Sequence, residues 1–187
     1  MRSRETPYQY PHSVLSEPPA SCETGGEESR RRSIRILISQ QRFFDGFSES
    51  HLNLFADAAL EVSFEAGESI MEEGSPANRL YLILEGKVVL GAELEDRGIV
   101  PVQMLGPGDD LGWSWLFPPY HMHLSARALS PVKALFIYGN RLREEADKDH
   151  EFGYQLMTRV TDVVMQRLRA TQQRLVECAS MRTLFNS

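Results

Sequence analysis

The chain has 187 residues, enough for one ordinary domain with extensions, and 42% of them are hydrophobic, as in a folded globular protein. With 20 Lys and Arg against 26 Asp and Glu, the net charge of −6 disfavours a strongly basic nucleic-acid binder. The two cysteines, Cys22 and Cys178, are too few for a disulfide framework or a four-thiolate metal site.

Residues 1–33 are predicted to be a disordered tail, because this proline-rich stretch has few branched aliphatic residues to offset its ordering entropy. It holds no hydrophobic segment of the signal-peptide kind, and no apolar run in the chain is long enough to span a bilayer. We therefore expect a cytoplasmic protein without membrane association. The run Arg30, Arg31 and Arg32 is interpreted either as a solvated linker end or as a contact patch for an acidic partner.

Two short helices are predicted next. Ile34, Leu37 and Ile38 recur at helical spacing, and Ser48 is a suitable N-cap for a second helix. The apolar face of that second helix consists of Leu52, Phe55, Ala56 and Ala59. Both helices are expected to pack on the domain that follows.

Residues 60–138 change to short apolar runs separated by turn signals. The runs lie at 80–84, 88–90, 99–105 and 132–138, and glycine or Gly-Pro sequences interrupt them. Short strands with frequent turns indicate an antiparallel sandwich or barrel.

From Asn140 the sequence is predicted to be helical to about Ala179, and it carries two apolar stripes. The first stripe, expected to cover the domain, is Phe152, Leu156, Val160 and Val163. The second stripe alternates by four and three, as in the seam of a two-stranded coiled coil, and consists of Met157, Thr161, Val164, Leu168, Thr171, Leu175 and Cys178. A homodimer through this helix is predicted, the alternative being a helix folded wholly onto its own domain.

Three glycine landmarks carry a resemblance to a known family. Gly67 and Gly74 bound the segment Gly-Glu-Ser-Ile-Met-Glu-Glu-Gly, Gly86 ends Leu-Tyr-Leu-Ile-Leu-Glu-Gly, and Leu-Gly-Pro-Gly-Asp ends at Asp109. Turns between short strands need residues at positive φ, which glycine adopts without a Cβ clash. With this spacing, the chain resembles the cyclic nucleotide-binding domain family over residues 38–179.

The resemblance implies a mainly β fold with flanking helices: an eight-stranded antiparallel jelly roll, short N-terminal helices and a long dimerising C-terminal helix. It divides the chain into a tail at 1–33, helices and roll at 34–140, C-terminal helices at 141–179 and a tail at 180–187. Catabolite-activator-type regulators, which the arrangement resembles, append a winged helix-turn-helix. Only eight residues follow Ala179. We therefore expect the sensor part without a DNA reader, and no direct nucleic-acid binding.

The resemblance also implies a ligand cassette between the sixth and seventh strands. In the family, a glycine and the helical N–H groups after it cradle the cyclic phosphate, an arginine pairs with it, and a glutamate accepts from the ribose 2′-hydroxyl. Here Gly112 matches the glycine, but Trp113 stands at the glutamate position and Met122 at the arginine position, with Arg127 as a distant basic substitute. The predicted ligand-contacting residues are Gly112, Trp113, Ser114, Trp115, His121, Met122, His123 and Ser125.

Three interpretations of this cassette stay open. In the first, the tryptophans plug the pocket and leave a scaffold. In the second, the aromatic side chains and the histidines hold a different small anionic or planar ligand, since aromatic faces stack on planar groups and protonated imidazoles attract anions. In the third, cAMP or cGMP binds despite the substitutions.

His121 and His123 also raise a cupin-like metal protein as an alternative. On a strand, alternate residues place both imidazoles on one face, as a metal requires. The next acidic residue is Glu144, so no glutamate follows at the cupin spacing.

No catalytic motif appears: the sequence has no Gly-x-Ser-x-Gly elbow, no phosphate loop and no cysteine placed with a histidine partner. We therefore predict a non-catalytic regulatory or sensory module that signals through its C-terminal helix, with a regulatory protein as a candidate partner. The alternative is a DNA-associated transcriptional regulator of the catabolite-activator type that acts through a partner.

Overall fold

The structure is a computed structural model that describes residues 24–94, 96 and 98–185, with backbone only at residues 24, 25, 27 and 178–185. Its helices are α1 (Thr24–Ser39), α2 (Glu49–Asp57), α3 (Gly139–Lys148) and α4 (His150–Phe185), with short 3-10 helices at Arg42–Phe44 and Trp113–Leu116. Its strands are β1 (Ala59–Phe64), β2 (Ser69–Met71), β3 (Arg79–Glu85), β4 (Val88–Leu94), β5 (Gly98–Leu105), β6 (Asp110–Leu111), β7 (Ser125–Ala128) and β8 (Val132–Tyr138).

The strands form two four-stranded sheets, with the orders β1-β8-β3-β6 and β2-β7-β4-β5. Every pairing among the described strands is antiparallel, and Val88 of β4 lies between Leu105 of β5 and Ala128 of β7. Inward-facing residues of both sheets share one hydrophobic core with the flanking helices. The mainly β fold with an eight-stranded antiparallel roll, predicted from the sequence, is confirmed.

The turn glycines have the left-handed backbone expected for them from the sequence, with φ of 89° at Gly67, 78° at Gly74 and 95° at Gly86. At Gly86 space is also limiting, because an added Cβ would lie 2.3 Å from the carbonyl oxygen of Pro131. Any side chain there would clash with backbone that cannot move independently of β8.

The prediction of a disordered tail over residues 1–33 is wrong from Thr24 onward, where α1 begins. Ile34 and Ile38 are fully buried, and they anchor the second half of this helix in the core. Both Asp57 oxygens lie near Arg31, at 2.5 Å from Nε and 2.7 Å from Nη2. Tertiary contacts thus order a segment whose composition alone would not. Residues 1–23 lie outside the described residues.

The helical region of the C-terminal part begins at Gly139 rather than 141, and α4 continues to Phe185. The tail predicted over residues 180–187 is therefore wrong as far as Phe185, because no glycine or proline after Gly153 interrupts the helix. Residues 186–187 lie outside the described residues, as does the side chain of the predicted seam residue Cys178.

Helix α4 begins beside the core. Phe152 and Leu156 are fully buried and Val160 is 1% exposed, which confirms that the first apolar stripe covers the domain. Within the part of the chain that the structure describes, no helix is both long and apolar enough to cross a membrane.

Candidate ligand-binding site

The cassette begins at β6 and turns sharply at Gly112. This glycine has φ of 91° and precedes the 3-10 helix Trp113–Leu116. A Cβ at Gly112 would lie 2.6 Å from the carbonyl oxygen of Arg79 in β3. The close approach of two backbone segments therefore requires glycine here.

Trp115 and Met122 face the protein interior. Trp115 is fully buried and Met122 is 2% exposed. The indole of Trp115 lies over Gly139, where an added Cβ would lie only 2.5 Å from the ring. The sequence-based placement of Trp115 among the ligand contacts is therefore corrected: it fills the space between the cassette and the start of α3. Met122 likewise packs in the core, at the position where the family pattern has an arginine.

Trp113 and His123 form the solvent side of the cassette. Their rings are 6.5 Å apart between centroids and inclined by only 20°, and Phe117 meets Trp113 edge-on at 6.1 Å. Ser114 Oγ and His123 Nδ1 are hydrogen-bonded at 3.0 Å. The cassette thus offers a partly exposed aromatic surface where the family pattern has a carboxylate.

The metal alternative needs His121 and His123 on a strand, but β7 begins only at Ser125. His121 Nδ1 is bonded to the carbonyl oxygen of Pro119 at 2.8 Å, and His123 is bonded to Ser114. Among the described residues no three His, Cys, Asp or Glu side chains are grouped to hold a metal ion. The strand placement behind the cupin-like prediction is therefore wrong.

The side chains of Ser125 and Arg127 in β7 form hydrogen bonds within the domain. Ser125 Oγ accepts from the N–H of Glu73 at 2.9 Å and donates to Glu93 Oε2 at 3.0 Å. Arg127 is exposed, and its Nη1 donates to the carbonyl oxygen of Gly67 at 3.1 Å. The role of Arg127 as a substitute for the cassette arginine stays a prediction.

Arg143 of α3 holds the cassette from the other side. Its Nη1 donates to the carbonyl oxygen of Trp115 at 3.1 Å, and its guanidinium carbon lies 4.4 Å from the centre of the Tyr120 ring. Tyr120 has φ of 60°, which few non-glycine residues adopt. One side chain on α3 thus contacts both the start and the end of the cassette loop.

Arg167 of α4 reaches Asp110, which lies two residues before Gly112. Its Nη2 donates to the carbonyl oxygen of Asp110 and lies 3.6 Å from Oδ2 of the same residue. Burial raises the pKa of Asp110, and the positive charge of Arg167 partly offsets that shift. Burial also lowers the pKa of Arg167, with Asp110 opposing. The long helix is therefore tied to the cassette by a mostly buried ion pair.

A cavity of about 460 Å³ lies beside this ion pair, between α4 and the β5–β6 region. Its polar lining balances positive and negative groups. The polar residues of this lining include Gln103, Asp109, Asp110, Arg159, Gln166 and Arg167. The sequence-based set missed every one of them. In the sequence Arg167 is recognisable only as an arginine outside the predicted seam, because its partner Asp110 lies 57 positions earlier.

Comparison with known proteins defines the class. A model described as the cyclic nucleotide-binding domain matches residues 61–149. A solved structure of a Geobacter metallireducens protein, described as a cyclic nucleotide-binding protein, is 36% identical with a TM-score of 0.65; the match covers 74% of this chain and 97% of that one. The chain belongs to the cyclic nucleotide-binding domain family, as the glycine landmarks predicted.

Other relatives are regulators. The CRP-like cAMP-activated global transcriptional regulator of Mycobacterium tuberculosis is 28% identical over 141 residues, which are 75% of this chain and 61% of the regulator. The chain therefore spans less than two thirds of that relative's length. A regulatory subunit of a cAMP-independent protein kinase A from Trypanosoma brucei has a TM-score of 0.61 at 22% identity, over 82% of this chain and 53% of that one, and shares the fold.

Proposed function

We propose that this chain is a non-catalytic sensory module in which a small ligand bound beside the cassette changes the position of α4, and α4 passes the signal to a partner. The observation that carries the proposal is the cavity between the roll and α4, spanned by the Arg167–Asp110 ion pair. A ligand in this cavity contacts both the roll and α4. It can shift the equilibrium between two positions of α4 by the difference between its affinities for those two positions.

The substitutions in the cassette support a divergent ligand. Trp113 offers an aromatic face where the family pattern has a ribose-binding glutamate, and buried Met122 offers no charge to a cyclic phosphate. Arg159 and Arg167, together with Gln103 and Gln166, supply hydrogen-bonding groups to the cavity instead. A small ligand with polar or anionic groups fits the cavity, because guanidinium groups bind oxyanions. A planar ring in such a ligand would have to extend beyond the cavity lining to stack on Trp113.

Calorimetry with cAMP and with cGMP tests the ligand class. We expect the unaltered chain to bind both more weakly than micromolar, because the carboxylate and guanidinium of the family cassette are replaced. The Trp113→Glu variant restores one of these groups and should tighten binding, whereas Arg169→Ala, on the exposed side of α4, should not change it. Micromolar affinity of the unaltered chain for either nucleotide would reject a divergent pocket.

The second apolar stripe of α4 supports a homodimer as the output arrangement. Met157 is 41% exposed, Leu168 48% and Leu175 66%, while Val164 is half-buried against the core. Leu168 follows Arg167, so the stripe is turned about 100° from the side that meets the roll. Exposed apolar residues in one row are typical of a helix that packs against a second copy.

Light scattering tests the dimer. We expect a dimer for the unaltered chain and a monomer for the double variant Leu168→Glu/Leu175→Glu, with Arg169→Glu as a matched control that stays dimeric. A monomer at high micromolar concentration of the unaltered chain contradicts the proposal.

The similarity to a transcriptional regulator favours one second candidate, a DNA-associated role through a partner. An electrophoretic shift of duplex DNA at physiological salt by this chain alone would show a direct DNA surface instead. Binding that requires an added partner would support the second candidate.

A further inference from the structure

A second groove, of about 710 Å³, lies between α1 and α2, away from the cassette. Arginines dominate its lining. The lining residues are Glu28, Arg30, Arg31, Arg32, Arg35, Asn53, Ala56 and Asp57. Four guanidinium groups thus meet two carboxylates in one groove, on a chain whose net charge is −6.

The periodicity of α1 aligns these side chains. Glu28, Arg31, Arg32 and Arg35 are spaced by three, one and three residues, so they share one face of the helix. Ile34 and Ile38 are fully buried in the core, and they follow Arg31 by three and seven residues, so Arg31 lies at the border of the buried stripe. The buried stripe fixes the rotation of α1, and Arg32, which is exposed, lies farthest from it on the solvent side beside α2.

Neighbouring carboxylates neutralise part of this charge. Arg31 pairs with Asp57, and Arg35 pairs with Glu49 of α2. Arg30 makes only a long contact, with its Nη2 at 3.4 Å from the carbonyl oxygen of Ala59. Arg32 is exposed and has no hydrogen bond or ion pair with any described residue. The groove therefore keeps guanidinium groups with hydrogen-bonding capacity directed at solvent.

We propose that this groove docks an acidic peptide segment of a partner protein. Guanidinium forks match carboxylates in geometry, and arginine clusters are a recurring means of recognising acidic motifs. Asn53 adds an amide that can donate to and accept from a peptide backbone. A nucleic acid is the competing polyanion for the same guanidinium groups, and its binding is therefore one outcome of the test. The proposal does not depend on a ligand in the cavity beside α4.

Fluorescence anisotropy of a labelled oligoglutamate peptide tests the proposal on the full chain. We expect saturable binding that weakens with added salt and weakens about tenfold in Arg32→Glu, because one interfacial charge is reversed. Arg169→Glu makes the same charge change on α4 and should bind as the unaltered chain does. Arg32→Gln removes the charge without reversing it, and should give an intermediate loss even if Arg32→Glu unfolds.

Three outcomes overturn the proposal: no saturable peptide binding below millimolar concentration, equal losses in Arg32→Glu and Arg169→Glu, or tighter binding of a single-stranded DNA oligonucleotide than of the peptide. Calorimetric titrations with cAMP and with cGMP should give the same result for Arg32→Gln as for the unaltered chain in every case. Failure of the docking groove is therefore distinguishable from failure of the sensory proposal.

Discussion

His51 Nε2 of α2 lies 3.1 Å from Oδ2 of Asp149, the residue that separates α3 from α4. The other oxygen of Asp149, Oδ1, accepts from the N–H groups of Glu151 at 3.0 Å and Phe152 at 3.1 Å. One carboxylate therefore caps the long helix and links it to the N-terminal helices. The His51 ring packs between Phe47 and Phe152.

Replacement of Asp149 should destabilise the domain in a pH-dependent way. The hydrogen bond from the N–H of Phe152, and to a smaller extent the hydrogen bond with His51, hold the pKa of Asp149 below its usual value of 3.8. A carboxyl with a lowered folded-state pKa stabilises the fold above its unfolded pKa and loses that effect as the pH falls through the folded value. In thermal unfolding, Asp149→Ala should melt below the unaltered chain at pH 7, and the two should converge in acid. Asp147→Ala, on the exposed side of α3, is the control and should melt normally; a constant difference at all pH values would contradict the mechanism.

The Arg167–Asp110 pair should be costly to break from one side. Arg167→Met leaves a buried carboxylate without its cation, and a loss of about 3 kcal/mol in unfolding free energy is expected at neutral pH. Because burial raises the folded-state pKa of Asp110, the loss should shrink as the pH falls toward the unfolded value of 3.8. Asp110→Leu combined with Arg167→Met should regain most of the stability in denaturant titration.

Hydrogen exchange shows whether the same pair restrains the helix. Amides of residues 159–174 should exchange faster in Arg167→Met than in the unaltered chain, while Arg169→Met should leave them unchanged. Equal exchange in both variants would mean that the ion pair stabilises the roll without holding α4.

Arg143 should control the mobility of the cassette loop. Arg143→Lys keeps the charge but loses the directed bond to the Trp115 carbonyl and the planar contact with Tyr120, and it should cost about 1 kcal/mol. Exchange of the amides over residues 113–121 should accelerate in this variant. If these amides stay as protected as in the unaltered chain, α3 does not position the cassette through Arg143.

A pair of glycine substitutions isolates the packing of Trp115. Gly139→Ala places a Cβ about 2.5 Å from the indole and should destabilise the fold by about 1–3 kcal/mol. Gly106→Ala adds the same methyl group where no atom lies within 4 Å, and should change stability by less than about 1 kcal/mol. Chemical denaturation compares the two, and equal effects would show that Trp115 yields to the added methyl.

Much of the fold could be predicted because its signals are local. Strand runs and turn glycines are neighbours in sequence, and Ser48 caps α2 as predicted, with its Oγ accepting from the His51 N–H at 3.2 Å. The start of α1 could not be predicted in this way. In this part of the helix Arg31 meets Asp57, which lies 26 residues away, and no local pattern indicates that contact.

The candidate site likewise has features that follow from local sequence and features that depend on contacts between distant residues. The sequence determined the family, the roll, the match of Gly112 to the cassette glycine and the replacement of the glutamate and arginine of the family pattern, since each depends on residue type at a local position. Only the tertiary structure decided that Trp115 is a core residue over Gly139. It also decided that Arg143 of α3 and Arg167 of α4 donate hydrogen bonds to backbone carbonyl groups of the cassette. The order of residues along the chain does not show which distant side chains meet, because packing and buried charge pairing in the folded domain select those partners.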